Sequence, residues 1–570
     1  MVTDLAGRIA VARGQAPADT LLTNARVLNV FTGAIVPANV ALYRGHIAGV
    51  GDYRSGKQVI DLGGRYLAPG LIDGHVHPES AYLSPGQYAR AVVPRGTTAL
   101  VTDLHEVANV RGLPGMRYYL EAARRTPLDV FFMVPSCVPC SPLETSGAVL
   151  THRELRRAMR WSHVLGLGEM MNFPGVVGAD TEVLAKVAAA HALGRPVDGH
   201  APGLTGHDLQ GYLAAGPGSD HECTSLGEAQ EKLALGMHLM IREGSTEHNL
   251  EDLLPAVNDS TWPRCMLVVD DRTCLDILRE GDMDHVVRRA IALGLDPVRA
   301  VALATLNPAR YFGLRGYGAV APGYVADLIV LGDLTAFDVQ MVFKRGKLVA
   351  QDGQPRFRPA QRDDAVVRDT VRVKPFSLDA LRLESGRDPF PVIEVVPGQI
   401  VTRRRDESPR REDGVIVPDV ERDLLKIVVV ERHHATGNIG RGLIRGFGLR
   451  RGAIASTVAH DSHNVMAVGT NDADLAAAVR EIERMQGGLC VVENGQVLES
   501  LPLPLAGLLS DESVEYAADR LDRMQRLAAE RGCTLRSPFA TLSFMALPVI
   551  PELKLTDRGL VDVLAFDFIG

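Results

Sequence analysis

Between residues 68 and 309 short apolar runs recur, and each closes on polar or charged residues. Eight can be counted: GLIDGHVH, TTALVTDLHE, DVFFMVPSC, VLGLGEM, PVDGH, GSDHE, HLMIREG and CMLVVDD. Between several of them lie stretches rich in Ala, Leu, Arg and Glu, such as THRELRRAMRW, TEVLAKVAAAHALG and SLGEAQEKLALG, which read as helices. Strands alternating with helices predict a parallel sheet. Eight units in about 240 residues predict an α/β fold with a TIM-like (β/α)8 barrel, whose chemistry sits at the C-terminal ends of its strands.

The flanks have a different rhythm. Residues 20–67 are short β-branched runs punctuated by glycine, preceded by a predicted helix over about 3–14. After DPVRAVALATLNPARYFGL the strand-like character returns. The economical reading joins residues 1–67 and 310–365 in one small β-sandwich domain, with the barrel of residues 68–309 inserted between them. Residues 366–415, including VTRRRDESPRREDG, mix both signs of charge with proline and read as a solvated linker. Residues 416–570 carry two helical patterns, DADLAAAVREIERMQ and ESVEYAADRLDRMQRLAAERG, among strand-like runs, and are predicted to form a separate α+β domain. No internal repeat or low-complexity tract is evident.

Composition narrows the function classes. A chain of 570 residues exceeds one ordinary core. A formal net charge of −8 argues against a dominant nucleic-acid surface. No apolar stretch is long enough to span a membrane, the N-terminus lacks a signal-peptide pattern, and seven cysteines in so long a chain are no disulfide framework. A cytoplasmic enzyme is expected. A homo-oligomer such as a dimer is expected too, because barrels with appended domains often associate.

The chemistry lies in the run ends. In a strand, residues i and i+2 share a face, so His75 and His77 of GLIDGHVH project together and can grip one ion. Glu169 closes the fourth run, His200 the fifth, His221 the sixth and Asp270 the eighth. Four histidines and two carboxylates on one rim make a mixed N/O site with ligands enough for two divalent ions. The combination of His77-Pro-Glu79 with Cys137 and Cys140 is similar to a zinc deaminase signature. However, the expected Pro-Cys is Pro-Ser-Cys here, the two segments belong to different strands, and His200, His221 and Asp270 would be left unexplained. Cys137 and Cys140 are expected to be loop residues.

The ligand order, together with YLAPGLIDGHVH before the barrel and GAVAPGYVADLIVL after it, resembles the amidohydrolase superfamily. More specific stretches resemble the bacterial adenine deaminase family: GTTALVTDLHEVANV, VPSCVPCSPLETSGA, GLGEMMNFPGVV, GHAPGLTG, SDHECTSLGEAQEKLALGMHLMIREGS and, in the C-terminal part, GRGLIRGFGLRRGAIASTVAHDSHNVMAVGTND and LPVIPELKLTDRGLVDV. Small departures such as Leu104 and Cys140 touch none of the six expected ligands. The resemblance implies two manganese or iron ions, free adenine as substrate, and hypoxanthine and ammonia as products. It implies a hydroxide shared by the ions, with Glu169 bridging. Asp270 would accept the proton of the attacking water and pass it on, and His221 would ligate or stabilise at the same point.

Other polar residues are left with two readings. Asp103, His105 and Glu106 form either a proton relay or ligand-orienting shell, or a loop network holding the rim. Glu79 and Ser80 are similar candidates. Asp271 is expected to point away from Asp270 if the strand is regular. His460, Asp461, His463 and Asn464 form a dense polar cluster that either closes over the pocket or makes an interface. Another aminopurine deaminase is a rival reading. So is a cyclic amidase, although such enzymes bridge their metals with a strand-four lysine, where this chain has Glu169 and the nearest Lys186 falls in a helix. A non-catalytic scaffold would be expected to have lost ligands.

Overall fold

A computed structural model describes residues 2–359 and 363–569. Each of the eight runs carries a strand: β1 (Leu71–Asp73), β2 (Thr97–Thr102), β3 (Asp129–Val134), β4 (Val164–Met170), β5 (Val197–Gly199), β6 (Ser219–Asp220), β7 (His238–Arg242) and β8 (Cys265–Val268). They pair in parallel as two arcs, β1 to β5 and β6 to β8. Isolated parallel bridges span both seams, Val197 to Pro217 before β6 and Val76 to Asp270 beyond β1 and β8.

The period of two along these strands sorts their side chains into two cores. Ile72, Ala99, Val101, Phe131, Met133, Met240, Met266 and Val268 form one cluster drawn from both arcs. Their neighbours Leu71, Leu100, Phe132, Leu167, Leu239, Ile241 and Leu267 belong to a second, larger cluster that includes helix residues such as Leu155, Val187 and Val286. Strands buried on both sides read as near-continuous apolar runs, which is how they stand in the sequence.

The flanking segments share one sheet of nine strands: Tyr66–Pro69 pairs antiparallel with Leu328–Leu331, joining residues 18–69 to residues 328–355. By its hydrogen bonds this is one continuous sheet. The long strand Ala18–Asn29 explains it. Its first half pairs with Gly56–Asp61 and its second with Tyr66–Leu67, and its register against Ala34–Tyr43 shifts between Leu22 and Ala25.

The C-terminal region is built on an eight-stranded sheet backed by helices Asp472–Arg484 and Val514–Glu530. Within the stretch read as a solvated linker, Phe390–Val395 and Thr402–Glu407 form an antiparallel pair at the edge of this sheet. The charge run that suggested solvent is that edge strand, exposed from Arg403 to Asp406. Arg404 pairs with Asp406 and Asp562, and Arg405 with Glu394. Charged side chains are a common way of blunting an exposed edge.

This region covers the ends of the parallel strands. Leu83 bridges to Ser510, Asn464 Nδ2 donates to the Thr145 carbonyl at 2.8 Å, and Thr556 Oγ1 donates to the Leu143 carbonyl at 2.7 Å. Among the described residues no helix is long and apolar enough to cross a membrane.

The seam between β5 and β6 leaves no room for a side chain at Gly199, where a Cβ would stand 2.1 Å from the Ser219 carbonyl oxygen. Gly199→Ala is expected to cost about 1–3 kcal/mol through overpacking and to lower the thermal midpoint. It should also reduce bound metal, because His200 is the next residue. An unchanged melting curve would contradict this account of the seam.

Candidate metal centre

The ends of β1 and β8 are laced together by backbone. Asp270 N–H donates to the His75 carbonyl at 3.0 Å, and His77 N–H donates to the Asp270 carbonyl at 3.2 Å. Asp73 Oδ1 accepts from His75 N–H at 3.2 Å and Val269 N–H at 3.3 Å, tying the two ends from below. This ladder brings His75 Nε2 and His77 Nε2 to 3.2 Å of each other and to 3.5 and 3.4 Å of Asp270 Oδ1.

A second group stands beside it. His200 Nδ1 and His221 Nε2 are 3.2 Å apart, and they lie 2.7 and 3.3 Å from Glu169 Oε2. The other oxygen, Oε1, lies 3.3 Å from His77 Nε2. Glu169 therefore spans both groups from the end of β4. Ligands about 2.0–2.2 Å from one ion are separated by distances of this size. Glu169 Oε1 has no hydrogen-bond partner although the residue is 2 % exposed. Facing imidazole nitrogens and a buried unpartnered carboxylate oxygen are the donor set a divalent ion satisfies.

The structure brings together all six residues expected as ligands, and several of the others. Leu104 has φ +54°, a left-handed conformation uncommon for a bulky residue. The turn it makes carries Asp103, His105 and Glu106 all inward. His105 Nδ1 lies 2.9 Å from Asp103 Oδ1 and 3.3 Å from Glu169 Oε1, and His77 Nδ1 lies 3.5 Å from Asp103 Oδ1. Glu106 meets His460 Nδ1 at 2.6 Å and also contacts His463 Nε2. Glu79 is turned aside, its Oε1 accepting from Val107 N–H at 3.4 Å.

Asp271 departs from the strand alternation. β8 ends at Val268, and Asp270 has φ +64°, so Asp270 and Asp271 are both buried at the strand end. Asp271 Oδ1 accepts from Ser80 Oγ. Cys137 and Cys140 are buried free thiols, and Cys140 Sγ donates to Glu144 Oε1 at 2.9 Å.

Glu222 and Arg242 escaped the sequence reading. Glu222 Oε1 is 3.4 Å from His221 Nε2. Arg242, 1 % exposed, grips Glu222 with both guanidinium nitrogens, Nη2 to Oε2 at 3.0 Å, and Nη1 reaches Asp270 Oδ2 at 2.9 Å. The available signal was an arginine closing the apolar run HLMIR, where an unpaired charge could not be buried.

These contacts set the ionisation states. Burial opposes charge on Asp270, but His75, His77, His221 and Arg242 outweigh it and hold the carboxyl well below its usual range. Burial likewise opposes charge on Glu169, and the facing ring nitrogens of His105, His200, His221 and His77 outweigh it, holding the carboxyl well below its usual range. His221, despite burial, is pushed up to about 9 by Glu169 and Asp270. Glu79 is raised to about 7 by burial and by Glu106.

Comparison with known proteins gives two family matches: Amidohydrolase family over residues 66–349 and Adenine deaminase C-terminal domain over residues 399–567. The adenine deaminase of Dehalococcoides mccartyi is 57% identical over 569 residues, covering 100% of this chain and 99% of the relative. Adenine deaminase 2 of Carboxydothermus hydrogenoformans is 49% identical, covering 98% of each chain. The adenine deaminase of Kosmotoga olearia is 43% identical, covering 99% and 98%.

Arg242→Met is expected to leave Glu222 buried without its partner and to cost about 3–5 kcal/mol, read as a lower denaturant midpoint of the metal-free protein. A midpoint equal to wild type would show that the pair does not carry this part of the fold.

Proposed function

This chain belongs to the adenine deaminase family of the amidohydrolases, and from that premise we propose how its buried cluster does the work. The reaction is the hydrolytic deamination of adenine, which yields hypoxanthine and ammonia. We read the two parallel arcs as one closed (β/α)8 barrel over residues 68–309. The nine-stranded sheet of the flanks forms a second domain, and the C-terminal domain begins near residue 390 rather than 416.

In this reading His75, His77 and Asp270 would hold one divalent ion and His200 and His221 a second, with Glu169 as the carboxylate shared by the two groups. The observation that carries it is the span of Glu169, with Oε1 3.3 Å from His77 and Oε2 2.7 Å from His200. Mixed imidazole and carboxylate donors suit manganese or iron. Ions so held lower the pKa of water and supply a nucleophile at neutral pH.

The chain's own groups manage the protons. Water attack at C6 of adenine breaks the ring's aromaticity, so the adjacent ring nitrogen must gain a proton, and so must the departing ammonia. Asp270 is the group placed to accept the water proton and return it. Arg242 fixes its second oxygen and keeps it ionised. His221, its Nε2 3.3 Å from Glu169 Oε2, would serve as a neutral ligand of the second ion and through it help stabilise negative charge at the same point.

Beside the cluster lies a small cavity lined by Ser80, Asp271, Thr273, His460, Ser543 and Phe544. Phe544 stacks on the His460 ring at 4.3 Å. We propose that the C-terminal domain, through Phe544 and His460, excludes water from the cluster. The cyclic amidase reading is disfavoured by position. Lys186 lies in helix Thr181–His191 and donates to the Ser136 carbonyl at 2.7 Å, while Glu169 occupies the place of a bridging lysine.

The test is ammonia release from adenine by the manganese-reconstituted enzyme, with adenosine, guanine and dihydroorotate in parallel. Turnover of adenine alone is expected, lost on chelation and restored by metal. Asp270→Asn should lower kcat by about 10²–10⁴-fold, and His75→Ala should lose bound metal. A metal-stripped enzyme at full rate would sink the metal assignment, and an Asp270→Asn enzyme with unchanged kcat would sink the proton role.

A further inference from the structure

The His105 ring faces two ways. Its Nδ1 lies 2.9 Å from Asp103 Oδ1 and donates to it, so the neutral ring keeps its lone pair on Nε2. That nitrogen, on the far side of the ring from Glu169, lies 3.2 Å from Glu106 Oε1 and 3.6 Å from Asp461 Oδ1. His460 Nδ1 approaches the same Glu106 oxygen at 2.6 Å. Four donor atoms from His105, Glu106, His460 and Asp461 thus lie within 4.8 Å of one another, all from buried residues.

The surroundings are arranged around these donors. A carboxylate that orients a histidine, as Asp103 orients His105, is the usual outer partner of a metal-binding imidazole. His463 is a positioning residue. Its Nδ1 accepts the Ala459 N–H at 3.1 Å, so its proton sits on Nε2, which meets Glu106 Oε2. Arg432, fully buried, donates to the His463 carbonyl and fixes the turn. Asp461 is unsatisfied: it is 1 % exposed, and neither of its oxygens has a hydrogen-bond partner. A buried carboxylate in that state is costly unless a cation completes it.

We propose that His105 Nε2, Glu106, His460 Nδ1 and Asp461 form a third divalent-cation site, between the loop after β2 and the C-terminal domain. It shares no ligand with the two-ion centre assigned above. Two imidazoles with two carboxylates suit a first-row transition ion such as manganese, iron or zinc better than magnesium or calcium. Because two ligands come from each side, the ion would clip the C-terminal domain over the strand ends.

The experiment is an anomalous-scattering map of the full-length protein, stripped by chelator and reconstituted with MnCl2, together with a metal count per chain. The expected result is a peak within bonding distance of the four named donors, separate from those at the two-ion centre. Asp461→Asn, which keeps the side chain's shape, should lose that peak and one metal equivalent while the other peaks stay. A wild-type map with peaks only at the two-ion centre overturns the proposal and leaves that centre intact. A peak here with none at that centre leaves the proposal and removes the other assignment. A third peak undiminished in Asp461→Asn also overturns it, since the ligands would then be wrong.

Discussion

The two oxygens of Glu169 must be shared among imidazoles that arrive from four different parts of the chain. His77, His105, His200 and His221 each place a ring nitrogen within 3.3 Å of that one carboxylate, which is 2 % exposed. Convergence of this kind needs strands that run the same way and end at the same level. Parallel pairing supplies both, and the price is crossover helices that must cover the outer faces. The bridge between Val76 and Asp270 then holds the first and last of these strand ends in register.

The same convergence creates an electrostatic demand. Acid groups and imidazoles are brought together where water cannot screen them, so each must find a partner or a cation. Arg242 meets part of that demand by pairing with both Glu222 and Asp270. The C-terminal domain sharpens it, because Phe544, His460 and Asp461 replace solvent above the strand ends. Water exclusion that strengthens each contact is also what makes an unpaired group there so unfavourable.

Much of this was legible in the residues. His75 and His77 declare themselves through the period of two, and the eight apolar runs that locate Glu169, His200, His221 and Asp270 each carry a strand. The illegible parts depend on backbone states that side-chain patterning does not encode. Asp271 reaches Ser80 because Asp270 adopts a left-handed conformation after β8 has ended. The inward turn of Asp103, His105 and Glu106 likewise hangs on Leu104. The stretch around VTRRRDESP misled for another reason: an edge strand exposed on both faces has the same charge pattern as a solvated loop.

The bridge from Leu83 to Ser510 and the contacts of Glu106 with His460 and His463 also fix a timetable. As the chain leaves the ribosome, N-terminal end first, His75 and His77 emerge long before Asp270, and Glu106 long before the segment that caps it. Pairings this distant along the chain form late in folding. An ion held by these residues would therefore meet ligands gathered from distant parts of the chain, unlike the closely spaced ligands of a zinc finger. The pocket and the wall over it are built from segments far apart along the chain, Glu106 on one side and His460 and His463 on the other.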